Sequence, residues 1–201
     1  TVYGLDKLAG IREVADSRGI PMHLDGARIF NAAVKLGVDA SEIAKYFDSV
    51  QFCLSKGLSA PVGSLLAGDA AYIARARKYR KMLGGGMRQA GIIAAAGIIA
   101  LERMVDRLHE DHENARLLAE GLSHIPGFSV DLNTVETNIV VFDIEGLGIG
   151  SAAFAEEMAK EGVKLTTRPP HKMRAVTTRM FGRQDLLLAL EKFAIVGKRH
   201  A

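Results

Sequence analysis

The feature that most constrains this chain is a repeated exchange of hydrophobic period along its first hundred residues. Apolar side chains at Leu8, Ile11, Val14 and Ala15 recur at helical spacing, and Gly19 ends the pattern. "IPMHLD" (20–25) is a short strand-like run, "GARIFNAAVKLG" (26–37) returns to the helical period, and "FDSVQFCL" and "GSLLAGD" are strand-like again. Helical patterns then cover 70–82 and run from Gln89 to Leu108, with Gly84-Gly85-Gly86 between them. Strands alternating with helices predict an α/β domain with a mainly parallel sheet.

Beyond Met104 the character changes. A charged helix over 106–122 leads into short strand-like pieces, "GFSV", "TNIVVFDI", "GVKLTT" and "MRAVTT", interleaved with helices at 151–161 and 184–196. This pattern predicts a smaller α+β domain, giving domains at 1–104 and 105–201, with the boundary near Met104 inside a continuous helix.

Composition narrows the function classes. The 201 residues are 48% hydrophobic and 24% charged, enough apolar material for a real core. A net charge of +3 is small for this length and does not by itself imply a nucleic-acid partner. The single cysteine, Cys53, excludes an internal disulfide and suits a reducing compartment, so a cytoplasmic location is expected. The longest apolar run, "AGIIAAAGIIAL" (90–101), is shorter than the roughly 20 residues of a membrane span, so it is expected to be a buried helix. No signal-peptide pattern is present, and the chain opens almost directly on a helix, which suggests a processed or partial chain.

Within "SVQFCLSKGLSAPVGSLLAG" (49–68) Lys56 is the only charged residue. Burying an unpaired ammonium costs several kcal/mol or more. Either the amine snorkels to water, or its chemistry needs an amine sheltered from water. Asp25 ends a strand, at the edge where open α/β sheets place ligands. Arg28 opens the next helix, and Lys56 also follows a strand. A carboxylate, a guanidinium and an amine can therefore meet at one edge, and pyridoxal phosphate is a natural ligand for that set. Lys56 would hold its aldehyde as a Schiff base. Asp25 would keep the ring nitrogen protonated, and Arg28 would serve both the cofactor site and the substrate carboxylate. Ser55 and the amides after it would meet the phosphate.

Four blocks, "MHLDGARIFNAAVKLG", "QFCLSKGLSAPVGS", "RKMLGGGMRQAG" and "EDHENARLLAEGL", resemble the low-specificity threonine aldolases, pyridoxal-phosphate enzymes of the aspartate-aminotransferase fold. The resemblance is nearly continuous from Thr1 to Asn138 and looser beyond. It implies the later part of a three-layer large domain plus the small C-terminal domain. Lys56 then resembles the Schiff-base lysine, Asp25 the ring-nitrogen partner and Arg28 a substrate-carboxylate arginine. Arg88 resembles the residue that reaches the cofactor phosphate of a neighbouring subunit, and Arg174 a second carboxylate contact. The implied reaction is retro-aldol cleavage of threonine, allo-threonine or another β-hydroxy amino acid to glycine and an aldehyde, in a homodimer or homotetramer. Two departures stand out: the Gly-rich phosphate loop and ring-stacking histidine of the family are not in these residues, and the family's "RAVTH" reads "RAVTT" at 174–178.

Other readings compete. A β-eliminating lyase or an aminotransferase of the same fold would use the same lysine. "RARKYRK" (75–81) holds five basic residues in seven and could mark a non-catalytic basic binding module, although no aromatic stacking platform accompanies it and a solvated helix face explains it. Gly84-Gly85-Gly86 could be a turn or an anion site at a helix start. His23 is expected to be a satisfied core histidine and Cys53 a small core residue. His171 could lie near the substrate. The spacing of His109, His112 and His124 does not make a metal site, and no metal, nucleic-acid or membrane partner is expected.

Overall fold

β1 (His23–Asp25) and β2 (Ser49–Cys53) pair in parallel, with His23, Leu24 and Asp25 opposite Ser49, Val50 and Gln51. The chain between them returns through α2 (Ile29–Leu36) and α3 (Ala40–Ala44), the helical crossover that a parallel pair needs. Gly37, at φ 67°, ends α2, and Asp39 caps α3 by accepting the Ser41 N–H at 2.8 Å. β3 (Ser64–Gly68) pairs antiparallel with β2, Cys53 opposite Ser64. Residues 54–63 are too short a link for a parallel return, so the sheet is mixed rather than all parallel.

This computed structural model describes residues 1–200, which divide into two compact units, one covering Val2–Leu108 and the other Thr1 with the residues from His109. In the first unit the period-two alternation of β2 separates the two sheet faces. Val50 and Phe52, with Leu24 of β1, face Leu8 of α1 (Leu5–Asp16), Ile29 and Ala33 of α2 and Ile43 of α3. The other face is mostly polar: Ser49, Gln51 and Cys53 align with His23 and Asp25 on one side and with Ser64 and Leu66 on the other. His23 is satisfied, by Ser49 Oγ at 2.8 Å, but on this polar face and outside the core. Asp48 ties α1 to the sheet, accepting from Arg12 at 2.8 Å and from the Met22 N–H at 2.7 Å.

Two helices complete this unit. α4 (Ala70–Met82) is capped by Asp69, which accepts the Tyr72 N–H at 2.7 Å, and buries none of its residues. α5 (Gly91–Arg103) corrects the expectation of a buried helix: Gly97 and Ala100 are buried, whereas Ile92 is 87% exposed and Ile98 and Ile99 about half so. The helix also does not continue through 104–107. The chain turns there, the Leu108 N–H bonding the Val105 carbonyl, before α6 (Leu108–Ser123).

The second unit is an antiparallel sheet in the order β4 (Ile139–Asp143), β6 (Lys172–Val176), β5 (Thr166–Arg168). Its core gathers side chains from α6, α7 (Ser151–Lys160) and α8 (Arg183–Lys198) against Val140, Phe142, Met173 and Ala175 of the strands. Four phenylalanines knit it together, Phe128 meeting Phe154 and Phe193 edge to face at 5.7 and 5.9 Å between centroids. Thr177 and Asn138 add a buried polar tie: Thr177 Oγ1 donates to the Asp111 carbonyl and Asn138 Nδ2 to the Thr177 carbonyl. "GFSV" is no full strand; Ser129 alone bridges to Asp143.

Candidate active site

Parallel pairing puts the C-terminal ends of β1 and β2 at one edge of the sheet. Asp25 is the last residue of β1, and Lys56 follows the end of β2 by three residues, so a carboxylate and an amine share that edge. Asp25 is exposed, with Oδ1 accepting the Ala27 N–H at 3.2 Å, and so keeps acceptor capacity for a ligand. Next to it Gly26 donates its N–H to the Gln51 carbonyl at 2.7 Å. A Cβ on Gly26 would lie 2.9 Å from that oxygen, so glycine is what lets the chain leave the strand here. Arg28 is half-buried at the N-cap of α2, on the same turn as Asp25.

The loop carrying Lys56 folds on itself and is pinned from below. The Ala60 N–H bonds the Leu54 carbonyl at 3.0 Å, Ser59 N–H bonds the Lys56 carbonyl at 2.9 Å, and Leu54 N–H bonds the Gly63 carbonyl at 2.9 Å. Leu54, Leu58 and Ala60 are buried with Ala100 and Leu108. The apolar character of this segment therefore anchors the backbone, while Lys56 and Ser55 project outward and are exposed. Of the two alternatives for the amine, this chain shows the one that reaches solvent, which avoids the desolvation cost.

Cys53 lies on the polar face, its Sγ 3.2 Å from Ser64 Oγ and 3.3 Å from Gln51 Nε2. Burial alone would raise its thiol pKa. The hydrogen bonds from Ser64 and Gln51, with the Lys56 ammonium nearby, outweigh that and hold it below the usual value. Cys53 is thus a partly exposed member of a polar cluster, where a core role was expected.

Arg88 is exposed in the coil between α4 and α5. The glycines before it do not open a helix. Gly84, at φ 80°, ends α4, and the N–H groups of Gly84 and Gly85 bond the carbonyls of Lys81 and Arg80. Those amides are spent on the helix C-terminus, which removes the anion-site reading of Gly84-Gly85-Gly86.

Arg174 belongs to the second unit, on β6 opposite Val141 and Thr166. It is half-buried, and its Nε is buried without a hydrogen-bond partner, a donor left for an anionic group. It lines a pocket of about 560 Å³ with Lys164, Lys192, Glu161, Asp185, Leu165 and Phe193. His171 is half-buried, with Nδ1 3.2 Å from the Ile149 carbonyl. Asp25, Arg28, Ser55, Lys56 and Arg88 are therefore in one unit and Arg174 in the other. Sequence reasoning overlooked Asn31, an enclosed polar residue inside the apolar run of α2, and the polar partners Gln51 and Ser64; for Gln51 the alternation with Val50 and Phe52 was the available signal.

Residues 1–145 match the beta-eliminating lyase family. The chain belongs to that family. Among its relatives, the low-specificity L-threonine aldolase 1 of Arabidopsis thaliana is 41% identical over 187 residues, covering 91% of this chain and 51% of the relative. The low specificity L-threonine aldolase of Escherichia coli K12 is 46% identical over 157 residues, 78% of this chain and 46% of that protein. The chain thus spans about half the length of the curated relatives it matches. The structure of the Leishmania major threonine aldolase superposes with a TM-score of 0.75 at 18% identity, covering 99% of this chain and 57% of that one, which establishes the shared fold. The α/β architecture expected of a partial domain of this fold is present, and no helix among the described residues is long and apolar enough to cross a membrane.

Proposed function

We propose that this chain is the lysine-bearing part of a pyridoxal-phosphate lyase that cleaves threonine and related β-hydroxy amino acids to glycine and an aldehyde. The observation that carries the reading is the parallel register of β1 and β2, which delivers Asp25 and Lys56 to one sheet edge. Relatives named threonine aldolases at 41% and 46% identity support the choice of reaction.

The residues present fit the cofactor. Asp25 offers a free carboxylate oxygen to a protonated ring nitrogen, and Lys56 presents a reachable primary amine on a pinned backbone. When bound, the cofactor supplies an electron sink for the pair released as the Cα–Cβ bond breaks. The side chains of this chain do the rest. Lys56 would hold the cofactor through its side-chain amine. Asp25 holds the proton on the ring nitrogen. Arg28 pairs with the substrate carboxylate and so fixes which bond at Cα is presented for cleavage. Ser55 meets the cofactor phosphate, as does Arg88 for a neighbouring subunit. The working assembly is a homodimer or homotetramer, and the lone cysteine suits a reducing compartment such as the cytoplasm.

Incubating the full-length protein with L-threonine and pyridoxal phosphate tests the reading. Acetaldehyde with glycine supports it, and both disappear in Lys56→Ala. Release of 2-oxobutyrate with ammonia would instead identify an eliminating lyase. No turnover, with no cofactor attached at Lys56, would sink the proposal.

A further inference from the structure

We infer that Asn31 is a positioning residue that locks the Lys56 loop to the β1–α2 junction and thereby sets the reach between Lys56 and Asp25. The inference rests on the reading of Lys56 as the cofactor-binding lysine. Asn31 lies in the first turn of α2, three residues after Arg28, and only 3% of its surface is exposed. Its helix neighbours Ile29 and Ala33 are buried apolar residues, so a carboxamide here interrupts an apolar stripe. Gly57, the residue after Lys56, packs directly against it. A Cβ on Gly57 would lie 3.2 Å from Asn31 Oδ1, 3.7 Å from Nδ2 and 2.8 Å from Leu108 Cδ2.

Burying a carboxamide is costly unless the group is used. A leucine of similar size would fill the same space without that cost. What the amide adds is direction. The apolar floor of Leu54, Leu58 and Ala60 fixes the depth of the loop, but burial is non-directional and leaves its rotation unset. A group that both donates and accepts, pressed against loop backbone, fixes orientation as well. α2 begins four residues after Asp25, so any shift of Asn31 is carried to the carboxylate end of the site. The hydrogen bond from Gly26 to Gln51 holds the strands together at that same edge. Asn31 is thus the tie between the helix that starts at the acid and the loop that carries the amine. A displacement of about 1 Å in such a constellation costs on the order of 100-fold in rate.

The test uses the full-length protein, its Asn31→Leu variant and its Asn31→Asp variant, which keeps the shape of the side chain. Three readouts are taken: cofactor affinity from visible absorbance, the rate of covalent attachment at Lys56 by borohydride trapping and peptide mass, and the pH dependence of the absorbance band. Melting curves report folding. The expected result is that the variants melt cooperatively while attachment at Lys56 slows about 10- to 100-fold and the absorbance pH profile shifts. If Asn31→Leu does not fold, Asn31→Asp decides by the same criteria. Folded variants that attach cofactor at the parent's rate, with the parent's pH profile, overturn the proposal, as does loss of folding in both, which would make Asn31 a folding residue. No attachment in the parent overturns the reading of Lys56 and this proposal with it, whereas a normal parent with unaltered variants overturns this proposal alone.

Discussion

Cys53 shows how neighbours, and not burial alone, set the chemistry of a side chain. Its thiol is partly buried, yet Ser64, Gln51 and Lys56 hold its pKa below the usual value. The thiolate is the reactive form, so iodoacetamide should label Cys53 faster near neutral pH than it labels a free cysteine. Ser64→Ala should slow that reaction and move its pH midpoint upward; time-resolved mass spectrometry across pH reads both. Asp25 invites a second substitution. If it holds the ring-nitrogen proton, Asp25→Ala removes a charge-assisted hydrogen bond worth about 1.5–3 kcal/mol. In the full-length enzyme kcat should then fall roughly 10- to 100-fold with Lys56 still attached to cofactor. An unchanged kcat would remove Asp25 from the site.

Between elements, Asp48 is the junction that chemistry makes testable. It accepts from the Met22 backbone N–H ahead of β1 and from Arg12 of α1, and both contacts hold its pKa below the ordinary 3.8. A group with a depressed folded-state pKa contributes stability that is fully present above its unfolded value. That contribution is lost as pH falls through the lower folded value. Stability should therefore decline below about pH 4, and Asp48→Asn should flatten the decline; urea midpoints measured across that range check both. At this scale the sequence was legible where period and punctuation agreed. α1, α2 and the strand end at Asp25 follow from apolar spacing and glycine stops, and β2 ends at Cys53, one residue short of the strand-like run that reaches Leu54. Residues 84–86 left two readings open, because a glycine run closes one helix as readily as it opens the next. Only the hydrogen bonds from Gly84 and Gly85 back to α4 distinguish the two.

Across the whole molecule the apolar surface is unevenly covered. The second unit encloses a core of four phenylalanines but leaves Met180, Phe181 and Leu188 exposed, and the first leaves Ile92, Ile98 and Ile99 of α5, Leu65 and Leu66 of β3, and Met82 and Leu83 at the end of α4 exposed. Surfaces of that kind associate. The 201-residue chain should self-associate in light scattering and bind a hydrophobic dye, and Ile98→Lys with Ile99→Lys should reduce both; a monodisperse monomer that binds no dye would contradict this. The sequence by itself determined the alternation of strands and helices, the acid and amine at strand ends, and the family, because these depend on local period and on residue order. Only the tertiary structure decided that Lys56 projects outward while its loop is pinned, that α5 stays largely bare, and that Asn31 meets Gly57. Exposure and contact are properties of what the rest of the fold brings alongside a residue, and no local pattern encodes them.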